Sequence, residues 1–214
     1  MPRFHAIVLA ALAALFASTS AHASVILTAN MTNAGEPGSV IPTLSTGGPR
    51  PASFGTATFV LNDAQTQMTM FATIFNIDVT GSQTTDTFDN LAAAHIHAGP
   101  NVFPANNPVV WGFFGMPDND NNPDNLVVTP FATGVGGTFS STWDQAEGQP
   151  GTNLTMQIPN ILSEHAYINF HTTQFPGGEI RGTLVVPEPA TVALLGIAAV
   201  GLFGFARRRT RAVV

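Results

Sequence analysis

The sequence predicts an all-β fold, a Greek-key sandwich or barrel, flanked by an N-terminal signal peptide and a C-terminal transmembrane helix. Two observations in the body carry this: short runs with alternating hydrophobicity, and Gly, Pro, Asn and Asp clusters roughly every 8–12 positions. A third is the twelve phenylalanines between residues 24 and 186, since aromatic side chains suit half-buried pleated surfaces.

Taken in order, residues 1–23 read as a secretory signal peptide. Arg3 gives a basic start, Ala6 to Phe16 an apolar run, and Ala21-His22-Ala23 a small-x-small cleavage site, so signal peptidase is expected to cut between Ala23 and Ser24. The apolar part is too short to span a bilayer. "SVILTANMT" opens the body with Val25, Leu27 and Ala29 alternating against Ile26, Thr28 and Asn30. "GTATFVLND" runs to a turn at Asn62-Asp63, and "QMTMFATIFNID" puts Met68, Met70, Ala72 and Ile74 on one face. "NPVVWGFFG", "GGTFSSTWD", "NLTMQI", "AYINFHT" and "GEIRGTLVV" complete the expected strands. No internal repeat or long linker divides residues 24–186, so one domain is expected.

The segment "DNLAAAHIH" is ambiguous, because three alanines favour helix. As a helix it would set His95 and His97 about 200° apart. As a strand it puts both on one face with Ile96 opposite. Gly99-Pro100 and the isoleucine between the histidines favour the strand. In "EHAYINFHT", His165, Tyr167, Asn169 and His171 likewise share a face opposite Ala166, Ile168 and Phe170, and Pro176-Gly177-Gly178 turns the chain into a returning strand from Glu179 to Leu184.

Charge excludes some partners. Twelve acidic residues lie between Glu36 and Glu179 against Arg50 and Arg181, and the chain has no lysine, so the body carries 2 − 12 = −10. The other five of the seven arginines lie in the terminal segments. Such a field repels nucleic acid and anionic lipid, so no nucleic-acid partner is expected. With no cysteine, thiolate nucleophiles, iron–sulfur clusters and zinc-thiolate sites are excluded.

Two motifs carry a family resemblance. "AHIHAGP" and, about seventy residues on, "AYINFHTTQFPGGEIRGTL" resemble the CHRD (chordin-type) domain, in which an AHIH-x-G motif precedes Y-x-N-x-H-T and G-E-I-R-G. The resemblance covers residues 24–186 and implies an immunoglobulin-like or barrel-like β fold. The Asn/Pro-rich stretch from Asn101 to Thr129 departs from it and reads as a loop insertion.

At the other end, Pro187-Glu188-Pro189, seventeen uncharged residues from Ala190 to Ala206, and Arg207, Arg208, Arg209 and Arg211 form a third motif. As a helix the seventeen would cover roughly 25 Å at ~1.5 Å per residue, a little short of the hydrocarbon core, with the arginines on the cytoplasmic side. This order resembles the PEP-CTERM sorting signal, here residues 187–211. The resemblance implies recognition and cleavage by an exosortase, a membrane-anchored precursor, and surface or extracellular placement in a Gram-negative producer of extracellular polysaccharide.

The chemistry has two readings. Histidines at i and i+2 on a strand lie roughly 6.6–7 Å apart on one face, a chelating arrangement that copper or zinc would complete with further ligands at ~2.0–2.1 Å. The CHRD pattern sets His171 beside the returning strand, which makes it the third candidate with His95 and His97. His165 lies ~20 Å from it along an extended strand and cannot join. Alternatively the imidazoles hydrogen-bond backbone carbonyls and pin strand ends.

The primary expectation is therefore a binding or structural role in the envelope or polysaccharide matrix, with no catalytic residues. The alternative is a surface copper- or zinc-binding protein, or a metal-dependent oxidoreductase similar to copper–zinc superoxide dismutase, whose dinuclear site needs more histidines than the four in the body. No Gly-x-Ser-x-Gly elbow, phosphate-cradling loop or His-Glu-x-x-His motif appears. Arg181, one of two cations in the body, is expected to bind a carboxylate, with Glu179 one candidate. Asp118, Asp120, Asn122 and Asp124 offer oxygen ligands for calcium, although Pro123 and Thr129 replace the glycine and closing glutamate of an EF-hand loop.

Overall fold

The computed structural model describes residues 24–38 and 40–187. The signal peptide and its cleavage site, Glu188, Pro189, the apolar segment and the arginine cluster lie outside the described residues, apart from Ser24 and Pro187. Among the described residues no helix is long and apolar enough to cross a membrane.

The fold is all-β, as expected. Among the described residues nine strands form one antiparallel sheet: β1 (Val25–Thr32), β2 (Phe54–Leu61), β3 (Gln67–Phe75), β4 (Leu91–Ala98), β5 (Val109–Gly115), β6 (Val127–Pro130), β7 (Gly136–Asp144), β8 (Ala166–Thr172) and β9 (Ile180–Thr183), in the spatial order β5-β4-β8-β9-β1-β2-β3-β7-β6. The sheet curls into a half-barrel. Its two ends meet across the core, where Trp111 of β5 stacks on Trp143 of β7 with ring centroids 5.5 Å apart and planes at 3°. Phe139 of β7 and Phe113 of β5 both pack edge-on against Phe170 of β8.

Alternation explains most strands. Along β2, Gly55, Ala57, Phe59 and Leu61 are buried while Phe54, Thr56, Thr58 and Val60 are exposed. β3 repeats the pattern with Met68, Met70, Ala72 and Ile74 inward. The Asn62 side chain accepts from the Thr66 and Gln67 amides and so closes the hairpin between them. Segment 91–98 is a strand, with Ile96 in the core and both histidines on the opposite face.

Two expectations are corrected. "NLTMQI" is not a strand: Leu154–Leu162 forms a helix, α1, between β7 and β8. The Asn153 side chain caps it by accepting from the Met156 amide. Leu154, Ile158 and Ile161 recur at helical spacing and enter the core. The Asn101–Thr129 region is also more than loop, because it contains all of β5, which pairs with β4, and the start of β6, which pairs with β7 at the sheet edge.

β8 is buried at all seven positions, which a strand achieves only when both faces are covered. Ala166, Ile168 and Phe170 face the core, while Tyr167, Asn169 and His171 face outward beneath loops. Buried polar groups of this kind are where a site is expected.

Candidate metal centre

Three strands place the polar cluster. β4 pairs with β8 so that His95 lies opposite Asn169 and His97 opposite Tyr167, and β8 pairs with β9 so that Asn169 lies opposite Arg181. The pairing of β4 with β5 shifts register between Ala94 and His95 and again between Ile96 and His97, and such irregularities re-aim side chains. Gly112 stands opposite His95 on β5, and a Cβ there would lie 1.7 Å from the Pro117 carbonyl oxygen. The missing side chain lets the loop after β5 fold back over His95.

The structure brings His95, His97 and His171 together. One ring nitrogen from each lies within 4.8 Å of the others, and no other group of three or more His, Asp or Glu residues of this kind occurs among the described residues. His165 lies outside the cluster, and its carbonyl rather than its ring contributes, accepting from Asn107 Nδ2 at 3.0 Å.

Each imidazole uses one nitrogen on a loop. His95 Nε2 lies 3.1 Å from the Met116 carbonyl oxygen, His97 Nδ1 2.9 Å from that of Asn107, and His171 Nδ1 2.9 Å from that of Pro176. A carbonyl oxygen only accepts, so each of these nitrogens carries the proton. The remaining three, His95 Nδ1, His97 Nε2 and His171 Nε2, therefore present lone pairs. His95 Nδ1 and His171 Nε2 face each other at 3.1 Å, and His97 Nε2 is buried without a partner.

Electrostatics keep the rings neutral. Burial pushes His95 down to about 4, helped by the other two histidines. Burial also takes His97 down to about 4, against the Asn107 hydrogen bond, and lowers His171. The Tyr167 ring stacks on His97 with centroids 4.6 Å apart, and the Arg181 guanidinium carbon sits 3.4 Å from the Tyr167 ring centre.

Arg181 does not bind a carboxylate, contrary to expectation. It donates to Asn106 Oδ1 at 3.1 Å and to the Ala105 carbonyl at 3.0 Å. Glu179 is taken instead by Arg50, through two 2.8 Å bonds, with Ser53 and Thr172 donating to the same carboxylate. The partner assignment fails because residues 50 and 179 are separated by most of the chain and nothing local links them. The Asp118–Asp124 loop does not gather its oxygens: Asp120 turns inward, accepting from Ser141. Glu36, which no motif singled out, is buried and accepts from Asn169 Nδ2 at 2.6 Å; burial raises it to about 7, opposed by Arg181. Only its place among turn residues could have marked it.

The family model of the CHRD domain matches residues 16–184. This chain belongs to the CHRD domain family. The PEP-CTERM protein-sorting motif matches residues 185–209. No curated protein and no solved structure matches the chain. The CHRD domain is not an enzyme family. The sorting motif marks this CHRD protein for exosortase processing and for export to the cell surface or beyond it in bacteria.

Proposed function

We infer that this exported CHRD protein binds one transition-metal ion, copper or zinc, through His95, His97 and His171, and presents it in the envelope or extracellular matrix. One observation carries the reading: three loop carbonyls fix the tautomers so that three lone pairs converge on one place. A shared proton would satisfy His95 and His171 but would leave His97 Nε2 without a partner. A single cation satisfies all three.

The geometry is compatible with an ion. Two nitrogens 3.1 Å apart, each ~2.0–2.1 Å from a metal, subtend roughly 100° there. Carbonyl acceptors on the distal nitrogens are the usual support for metal-ligating histidines. The pinning role expected from the sequence uses the other nitrogen of each ring, so the two roles coexist.

Metal analysis of the purified exported chain tests this. Stoichiometric copper or zinc, lost in His97→Ala and His171→Ala but kept in His165→Ala, is the expected result. A chain that takes up neither metal, yet melts lower in the same variants, would leave pinning as the whole role.

A further inference from the structure

Resting on that metal-binding reading, we propose that the site selects monovalent copper over zinc. The argument starts from charge. The three donors are imidazoles whose protons are all committed to carbonyls, so the set is neutral, and among the described residues no carboxylate joins it. The charged group stacked against it is a cation, Arg181, on the far face of the Tyr167 ring that covers His97. Glu36, a buried acid of the polar cluster, is engaged by Asn169, and Glu179 by Arg50. A divalent ion would bring two uncompensated charges into this setting, a monovalent ion one.

Coordination number points the same way. Structural zinc sites are four-coordinate, and open zinc sites complete the fourth position with water or substrate. Here three ligands converge. His95 is 4% and His171 7% exposed, His97 Nε2 is inaccessible, and the loops bearing Met116, Asn107 and Pro176 close over them. A cavity of about 320 Å³ lined by Glu36, Asn106 and Pro176 reaches one of these loops but is not lined by any of the three rings. An ion content with three nitrogen ligands fits this enclosure; imidazole serves copper and zinc alike, so the preference comes from charge and coordination number.

The test is a pair of buffered titrations of the full exported chain. Cu(I) is supplied under argon from a bicinchoninate buffer and Zn(II) from a chelator buffer, with His97→Gln, His171→Gln and His165→Ala alongside. One Cu(I) per chain, held more tightly than Zn(II), is expected. Both glutamine variants should lose it, and His165→Ala should retain it. The copper-loaded protein should show no paramagnetic Cu(II) signal after exposure to air. Zinc binding as tight as or tighter than copper, or a Cu(II) signal, overturns the selectivity and leaves the metal-binding reading intact. Binding of neither ion overturns both. Retention of copper by folded glutamine variants overturns the assignment of the ligands.

Discussion

His95 Nδ1 and His171 Nε2, 76 residues apart in the chain, face each other at 3.1 Å with no proton assigned to either. Each ring is held in that attitude from behind by a carbonyl of a different loop. Replacing His171 by Ala should therefore do two separable things. It frees the Pro176 carbonyl, at a cost of about 1–3 kcal/mol in the metal-free protein. It should also abolish the rise in Tm that copper gives the wild type. Melting curves with and without the ion distinguish the two effects.

Gly112 offers a test that leaves all three ligands in place. Gly112→Ala puts a methyl group against the Pro117 carbonyl and 3.1 Å from His95 Cδ2. The loop bearing Met116 must move and the His95 ring loses its support. Loss of such support typically costs 10–100-fold in metal affinity. Competition titration against a chelator should show that drop while circular dichroism remains that of the wild type.

Acid should destabilise the fold through the histidines. In the native state His95 and His97 stay neutral down to about 4, whereas in the unfolded chain they take up protons below 6.5. The unfolded state then binds more protons, so stability falls as pH drops from 6.5 toward 4. Glu36 acts in the opposite sense. Raised from 4.5 to about 7, its contribution is complete below 4.5 and lost as pH rises through 7. Glu36→Gln removes that opposing slope, so its Tm should fall more steeply than the wild type's between pH 6.5 and 4.5. An unchanged slope would contradict the assignment.

The Arg50–Glu179 pair is buried, with side chains 3% and 0% exposed. Removing one partner strands a buried charge, so Glu179→Ala should cost about 3–5 kcal/mol in urea denaturation. Because Glu179 leads into β9, the same variant should loosen the strand that carries Arg181.

Trp143→Ala deletes one half of the indole stack that joins the two ends of the sheet. A loss of about 3–5 kcal/mol is expected, together with a changed near-ultraviolet dichroism.

Much of this was legible in local pattern. The alternation in β2 and β3 announces their inward faces, and Ile96 between two histidines announces an extended β4. The grouping of His97 with His171 was expected from the order of the two CHRD motifs, and the pairing of β4 with β8 brings the two rings to one place. What was illegible is non-local or short-range in a different period. Leu154, Ile158 and Ile161 follow a helical spacing that a six-residue window conceals. β6 is four residues long and gains its hydrogen bonds only from β7. Arg50 finds Glu179 across 129 positions. The carbonyls that set the tautomers leave no trace in residue type, because any residue supplies one.

The separation of β4 from β8 bears on when the site can exist at all. A nascent or half-translocated chain that has delivered His95 and His97 still lacks His171, and without β8 the two imidazoles have neither their neighbour strand nor the turn at Pro176. On the metal-binding reading, uptake therefore has to follow the docking of β8 on β4, so the three-ligand site is a property of the folded body and not of any shorter stretch of chain.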